Sequence, residues 1–123
     1  MKIVLRSVAV LTLVSAPTAF ALQPGDVVED FRLIDEQGNS HQLSYLSDKK
    51  VIVIMTQGNG CQIVRSTVPT LKSIRDKYES QGVEFLMMNS NLQDTRESVA
   101  KESTDFDYQI PIMMDNSQLI EED

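Results

Sequence analysis

The sequence predicts an α/β domain, a mainly parallel central sheet flanked by helices and preceded by a β-hairpin. Three observations carry that reading. Val51-Ile52-Val53-Ile54-Met55 is an unbroken apolar run, the pattern of a strand covered on both faces. From Cys61 to Ser80 the apolar spacing changes to three and four residues, the period of an amphipathic helix. Val83-Glu84-Phe85-Leu86-Met87-Met88-Asn89 returns to strand character, and strand, helix, strand in that order is the signature of a right-handed parallel crossover.

Residues 1–21 stand apart from this domain. Lys2 and Arg6 form a positive start, Val8-Ala9-Val10-Leu11-Thr12-Leu13-Val14 a short apolar stretch, and Ala19-Phe20-Ala21 a small-residue cleavage site. This is the pattern of a secretory signal peptide, and the apolar stretch is shorter than the ~20 residues a membrane-spanning helix needs. Removal of residues 1–21 leaves residues 22–123, one small domain of roughly 100 residues without a stable membrane anchor, expected in the periplasm or secreted.

Within that domain, Leu22-Gln23-Pro24-Gly25-Asp26 is turn-rich. Phe31-Arg32-Leu33-Ile34 and His41-Gln42-Leu43 flank the polar group 35–40, which contains Gly38 and predicts the hairpin. In the long helix Ile63, Val64, Val68, Leu71, Ile74 and Tyr78 form the apolar face. Pro69 predicts a kink and Gly82 ends the segment. Thr95 to Ser103 reads as a second helix, with Asp94 at the N-cap and Glu97 at capping-box spacing. Ile110-Pro111-Ile112-Met113-Met114 is a third strand limited by its proline, and Leu119-Ile120-Glu121-Glu122 starts another helix.

The formal charge is −7, and loss of Lys2 and Arg6 makes it more negative. An acidic surface repels phosphate backbones and anionic membranes, so neither nucleic acid nor a lipid surface is an expected partner. Cys61 is the chain's one cysteine, so no internal disulfide can form. Such a residue is either a small buried apolar group or a thiol kept for chemistry with another molecule. Its setting is Gly58-Asn59-Gly60-Cys61, a glycine-loosened turn between a buried strand and a helix start. Unpaired amides and the helix dipole favour negative charge there, and Arg65 lies one turn further on.

Pro24-Gly25-Asp26 with Asp30-Phe31, Gly60-Cys61 through Pro69, and Ile110 through Asp115 occur in an order that resembles the thioredoxin-like redoxins, of the alkyl hydroperoxide reductase/thiol-specific antioxidant type. The resemblance implies a thioredoxin-like fold and assigns Cys61 to the family's nucleophilic cysteine. Val64 falls where dithiol members carry a second cysteine, and Gly58 where peroxiredoxins carry threonine. The resemblance also implies a further hairpin, a cis-proline and a last helix beyond Asp123. The chain is therefore expected to be incomplete at its C-terminus or completed by a partner.

The activity so implied is that of a one-cysteine thiol peroxidase or oxidoreductase. Cys61 and Arg65 are its catalytic residues, and Gly58, Asn59 and Gly60 its substrate-binding loop. Peroxide or a disulfide is the substrate and an external thiol the reductant, and neither a cofactor nor a metal is expected. An inactive thioredoxin-like binding module, or a truncated remnant, is the alternative. Gln57 and Asn59 can hydrogen-bond an incoming oxygen or simply serve the turn. His41 lacks a partner nearby in sequence, and Met87-Met88 and Met113-Met114 are expected in the core, adjacent strand residues facing opposite sides.

Overall fold

A computed structural model describes residues 23–118. The expected signal peptide and the helix beginning at Leu119 lie outside the described residues. The elements in chain order are β1 (Arg32–Asp35), β2 (Ser40–Gln42), β3 (Val51–Thr56), α1 (Gln62–Tyr78), β4 (Val83–Asn89), α2 (Arg96–Asp105) and β5 (Ile112–Met114), with short 3-10 turns at Leu43–Leu46 and Glu79–Gln81.

The five strands form one sheet in the order β2-β1-β5-β4-β3. β3 and β4 run parallel, Val51 opposite Val83 through Thr56 opposite Met88, and β5 adds in parallel with Met87 opposite Ile112. The hairpin attaches antiparallel to the other side of β5, Ile34 opposite Met114. The parallel part of the sheet is thus β3-β4-β5, and the whole sheet is mixed. The hairpin turns tightly because the Asp35 carboxylate accepts the Gln37 and Asn39 amides at 2.9 and 2.8 Å, an Asx turn in which Gly38 takes a φ of 95°.

Both crossovers, β3-α1-β4 and β4-α2-β5, step in the same direction along the sheet, so both helices cover the same face. Val68 and Leu71 of α1 and Val99 of α2 pack there on Phe85, Met87, Ile112 and Met114, with Tyr108 and Ile110 closing the end. The opposite face holds Leu86, Met88 and Met113 under Phe31, Leu33, Leu46 and Ile52. The methionine pairs therefore divide between two cores, Met87 and Met114 on one side and Met88 and Met113 on the other, as alternation along a strand requires.

Several expectations need correction. β3 was expected to be covered on both faces, yet among the described strands it is an edge strand with one neighbour, and Val51 and Ile54 are exposed. β4 and β5, each flanked on both sides, carry the continuously buried runs, residues 85–89 and Ile112–Met114. On α1 the core stripe is Val64, Val68, Leu71 and Tyr78, whereas Ile63 and Ile74 are exposed, because they sit at the margin of the stripe around the helix. Pro69 lies inside α1, Gln62 to Tyr78, where the sequence places it. β5 starts at Ile112, after the proline that has no amide to offer a ladder.

Candidate functional site

The site grows from the carboxyl end of β3. Gln57 extends the ladder by donating its amide to Met88 O at 2.8 Å, and residues 58–60 then turn the chain into α1. Cys61 closes the turn by donating its amide to Gly58 O at 3.2 Å, while its own carbonyl accepts the Arg65 amide at 3.1 Å. Cys61 is therefore the N-cap residue of α1, one step before the helix proper, with extended φ and ψ of −72° and 110°. Gly60 sits at φ 77°, a left-handed conformation that a side chain resists.

The thiol is free and half-buried. Its side chain makes no capping hydrogen bond to the first-turn amides of α1, and no acidic residue occupies that turn. The positive end of the helix is thus directed at the cysteine without a competing carboxylate on the same helix.

Everything behind the turn is locked from the α2 side. The Asn59 amide donates to Asp94 Oδ2 at 3.0 Å and its side-chain nitrogen to Ser98 Oγ at 3.0 Å, while Gln57 Nε2 donates to Asn59 Oδ1 at 3.1 Å. Asn89, fully buried at the end of β4, donates through Nδ2 to Gln57 Oε1 at 2.8 Å and to Asp94 Oδ2 at 2.9 Å. Its Oδ1 accepts the Asn91 amide at 2.9 Å. The Gly60 amide donates to Glu102 Oε1 at 3.3 Å. The amides of Asn59 and Gly60 are therefore both occupied by carboxylates of the protein itself.

Arg65 is also engaged. Its Nε and Nη2 donate to Glu102 Oε1 and Oε2, both at 2.7 Å, and its guanidinium carbon lies 3.8 Å from the Phe106 ring centroid. The pair is bidentate and its acceptor is buried, and Tyr108 adds a hydroxyl donor to Glu102 Oε1 at 3.1 Å.

A profile of the AhpC/TSA family matches residues 24–123, a span that contains this whole site and all five strands. The chain belongs to the AhpC/TSA family. Among solved structures, a hypothetical protein of Sinorhizobium meliloti is 27% identical with a TM-score of 0.71, over 81% of this chain and 57% of that one. A DsbE-type thiol:disulfide interchange protein of Chlorobium tepidum (19%, TM-score 0.67, 81% and 68% covered) and the peroxidoxin BcpB of Mycobacterium tuberculosis (20%, TM-score 0.67, 79% and 62% covered) share the fold. The chain spans little more than half the length of the first of these structures. No curated protein sequence matches it.

In this AhpC/TSA domain the electrostatics beside the thiol are set across elements. The hydrogen bonds from Arg65 hold the Glu102 carboxyl below the usual carboxylate range against the opposing effect of burial. The same pair raises Arg65 above its ordinary value. Burial, reinforced by the Glu102 charge, pushes the Tyr108 phenol up to about 12, so it stays a neutral donor.

His41 does have a partner, six residues back across the hairpin: its Nε2 lies 2.8 Å from Asp35 Oδ2. β2, which carries it, and β3, which leads to Cys61, are the two edges of the described sheet. Four strand spacings separate them, about 19 Å, too far for His41 to exchange a proton with the thiol. Among the described residues no group of three or more His, Cys, Asp or Glu is arranged to hold a metal ion, and no helix is long and apolar enough to cross a membrane.

Asp94, expected from the sequence at the N-cap of α2, lies one residue before it. Thr95 takes that position instead, its Oγ1 accepting the Ser98 amide at 3.2 Å, and Asp94 is released to reach the loop before Cys61. Glu102, Asn89 and Tyr108 were missed altogether. A usable signal existed for Asn89: Asn89-Ser90-Asn91 is a polar group at the carboxyl end of the strand expected beside β3, where open α/β sheets place their sites.

Proposed function

We propose that this chain is an exported thiol oxidoreductase domain with Cys61 as its sole nucleophile, acting on a peroxide or a disulfide and regenerated by an external thiol. The observation that carries the reading is the free, half-buried thiol at the N-cap of α1, on a loop braced from behind and facing a helix start without acidic residues.

With a peroxide, the Cys61 thiolate attacks one oxygen and the O–O bond breaks. The leaving oxygen takes a proton, and Cys61 becomes a sulfenic acid. An external thiol then attacks the sulfenic sulfur, releasing water and leaving a mixed disulfide that a second thiol reduces. With a disulfide, Cys61 forms the mixed disulfide directly by displacing one thiolate. Val64, packed against the core where a second cysteine would stand, cannot resolve either intermediate. Gly58, Asn59 and Gly60 form the wall against which substrate lies, and Arg65 supplies the nearest cation on α1, its field reduced by Glu102.

Trapping decides the reading. After stoichiometric peroxide, a sulfenic-acid reagent is expected to label Cys61, and reduction of peroxide or of a mixed disulfide is expected to disappear in Cys61→Ser while the circular dichroism spectrum persists. An unlabelled wild-type thiol, or equal turnover in the variant, defeats the proposal and leaves a binding module of the same fold.

A further inference from the structure

We propose that Glu102 is a positioning residue of the thiol site: from α2 it fixes the loop in front of Cys61 through the Gly60 amide and holds the Arg65 cation in a closed pair. The inference rests on Cys61 being the nucleophile and adds the residue that pairs the cation on its helix.

The geometry is specific. One carboxylate, 8% exposed, receives four donors from three parts of the chain: the Gly60 amide, two nitrogens of Arg65 and the Tyr108 hydroxyl. Gly60 is the residue immediately before the cysteine, and Arg65 is on the helix that the cysteine caps. Phe106 covers the guanidinium, which restricts it further to the Glu102 side. The charged and titratable groups bonded to the loop before Cys61 or to one another are thus Arg65 from α1, Asp94 from the turn before α2, Glu102 from α2 and Tyr108 beyond it. Asp94 is committed to the Asn59 amide and to Asn89, so Arg65 and Glu102 form the one closed cation–anion pair of this group.

Removing either charge of a closed pair exposes the other. Glu102→Gln keeps an acceptor for Gly60 and a similar shape but leaves Arg65 uncompensated, which favours the thiolate. Arg65→Gln leaves the carboxylate uncompensated, which disfavours it. An uncompensated unit charge one helical turn from the cysteine, partly screened by solvent, moves a titration by about half a unit.

The test measures the rate of Cys61 alkylation by iodoacetamide against pH in the full chain. Relative to wild type, the midpoint is expected to move down in Glu102→Gln, up in Arg65→Gln, and to return close to wild type in the double variant. A role limited to holding the fold lowers stability in both single variants without moving their midpoints in opposite directions. Unmoved midpoints, or shifts of the same sign, overturn the inference. If Glu102→Gln does not fold, an upward shift in Arg65→Gln together with a wild-type midpoint in Glu102→Asp sustains the proposal, and any other combination overturns it. A wild-type Cys61 that is not alkylated at any pH overturns both this inference and the proposed function, whereas a titrating Cys61 with unresponsive variants overturns this inference alone.

Discussion

Asn89→Ala is the sharpest probe of the brace behind the thiol. The side chain is fully buried and makes three hydrogen bonds, two through Nδ2 to Gln57 and Asp94 and one through Oδ1 from the Asn91 amide. Asp94 keeps its bonds from Asn59 and Asn91, and Asn91 is exposed, so their losses are softened. Gln57 is different: it is 5% exposed, and its Oε1 loses the Asn89 donor. An ordinary hydrogen bond contributes about 1 kcal/mol net and a buried acceptor left unsatisfied costs about 1–3 kcal/mol, so the total loss is expected to be about 2–4 kcal/mol. For a domain of this size that lowers Tm by roughly 10–25 °C. Because the chain has no tryptophan, urea and thermal unfolding are followed by circular dichroism. A loss below about 1 kcal/mol with an unchanged denaturant slope refutes the claim that this network bears on the loop.

Two further predictions test the loop and the hairpin. Gly60→Ala forces a side chain into a left-handed conformation with no neighbouring atom in the way, so its cost is conformational, about 1–2 kcal/mol, whereas Gly58→Ala at ordinary φ is expected to change stability little; equal unfolding midpoints for the two refute the assignment. Glu36 is buried, and burial raises its carboxyl above the ordinary 4.5 against the Ile112 amide that Oε2 accepts at 2.8 Å. A raised folded value means that its contribution is full below 4.5 and lost as pH rises through the folded value. Glu36→Gln retains an acceptor for Ile112 and is expected to unfold at higher urea than wild type at pH 7, with the gap closing on acidification below 4.5; a gap that is constant with pH refutes the account.

Much of the fold was legible because its signals are local. The apolar run at Val51, the helical spacing from Val64 to Tyr78, and the glycine and polar turns each reflect the period of a single element, and their order restricts the topology through the handedness of crossovers. The placement of Cys61 at a helix start followed from the same patterns, missing the N-cap position by one residue. The errors came where a residue had a choice of partner. Asp94 had the composition of an N-cap, but Thr95 beside it could cap α2 equally well, and Asp94 instead met an amide 35 residues away.

What the sequence by itself determined is therefore the α/β order, the two-sided methionine core and the identity of the one thiol, since each depends on the spacing of a few neighbouring residues or on a count. The tertiary structure alone decided that β3 is an edge of the described sheet, that the amides of Asn59 and Gly60 are already taken, and that Arg65 faces Glu102 across 37 residues. The last two depend on the second crossover carrying Asp94, in the turn before α2, and Glu102, on α2, against the start of α1. No local pattern encodes that proximity; it arises when both helices settle on the same face of the sheet.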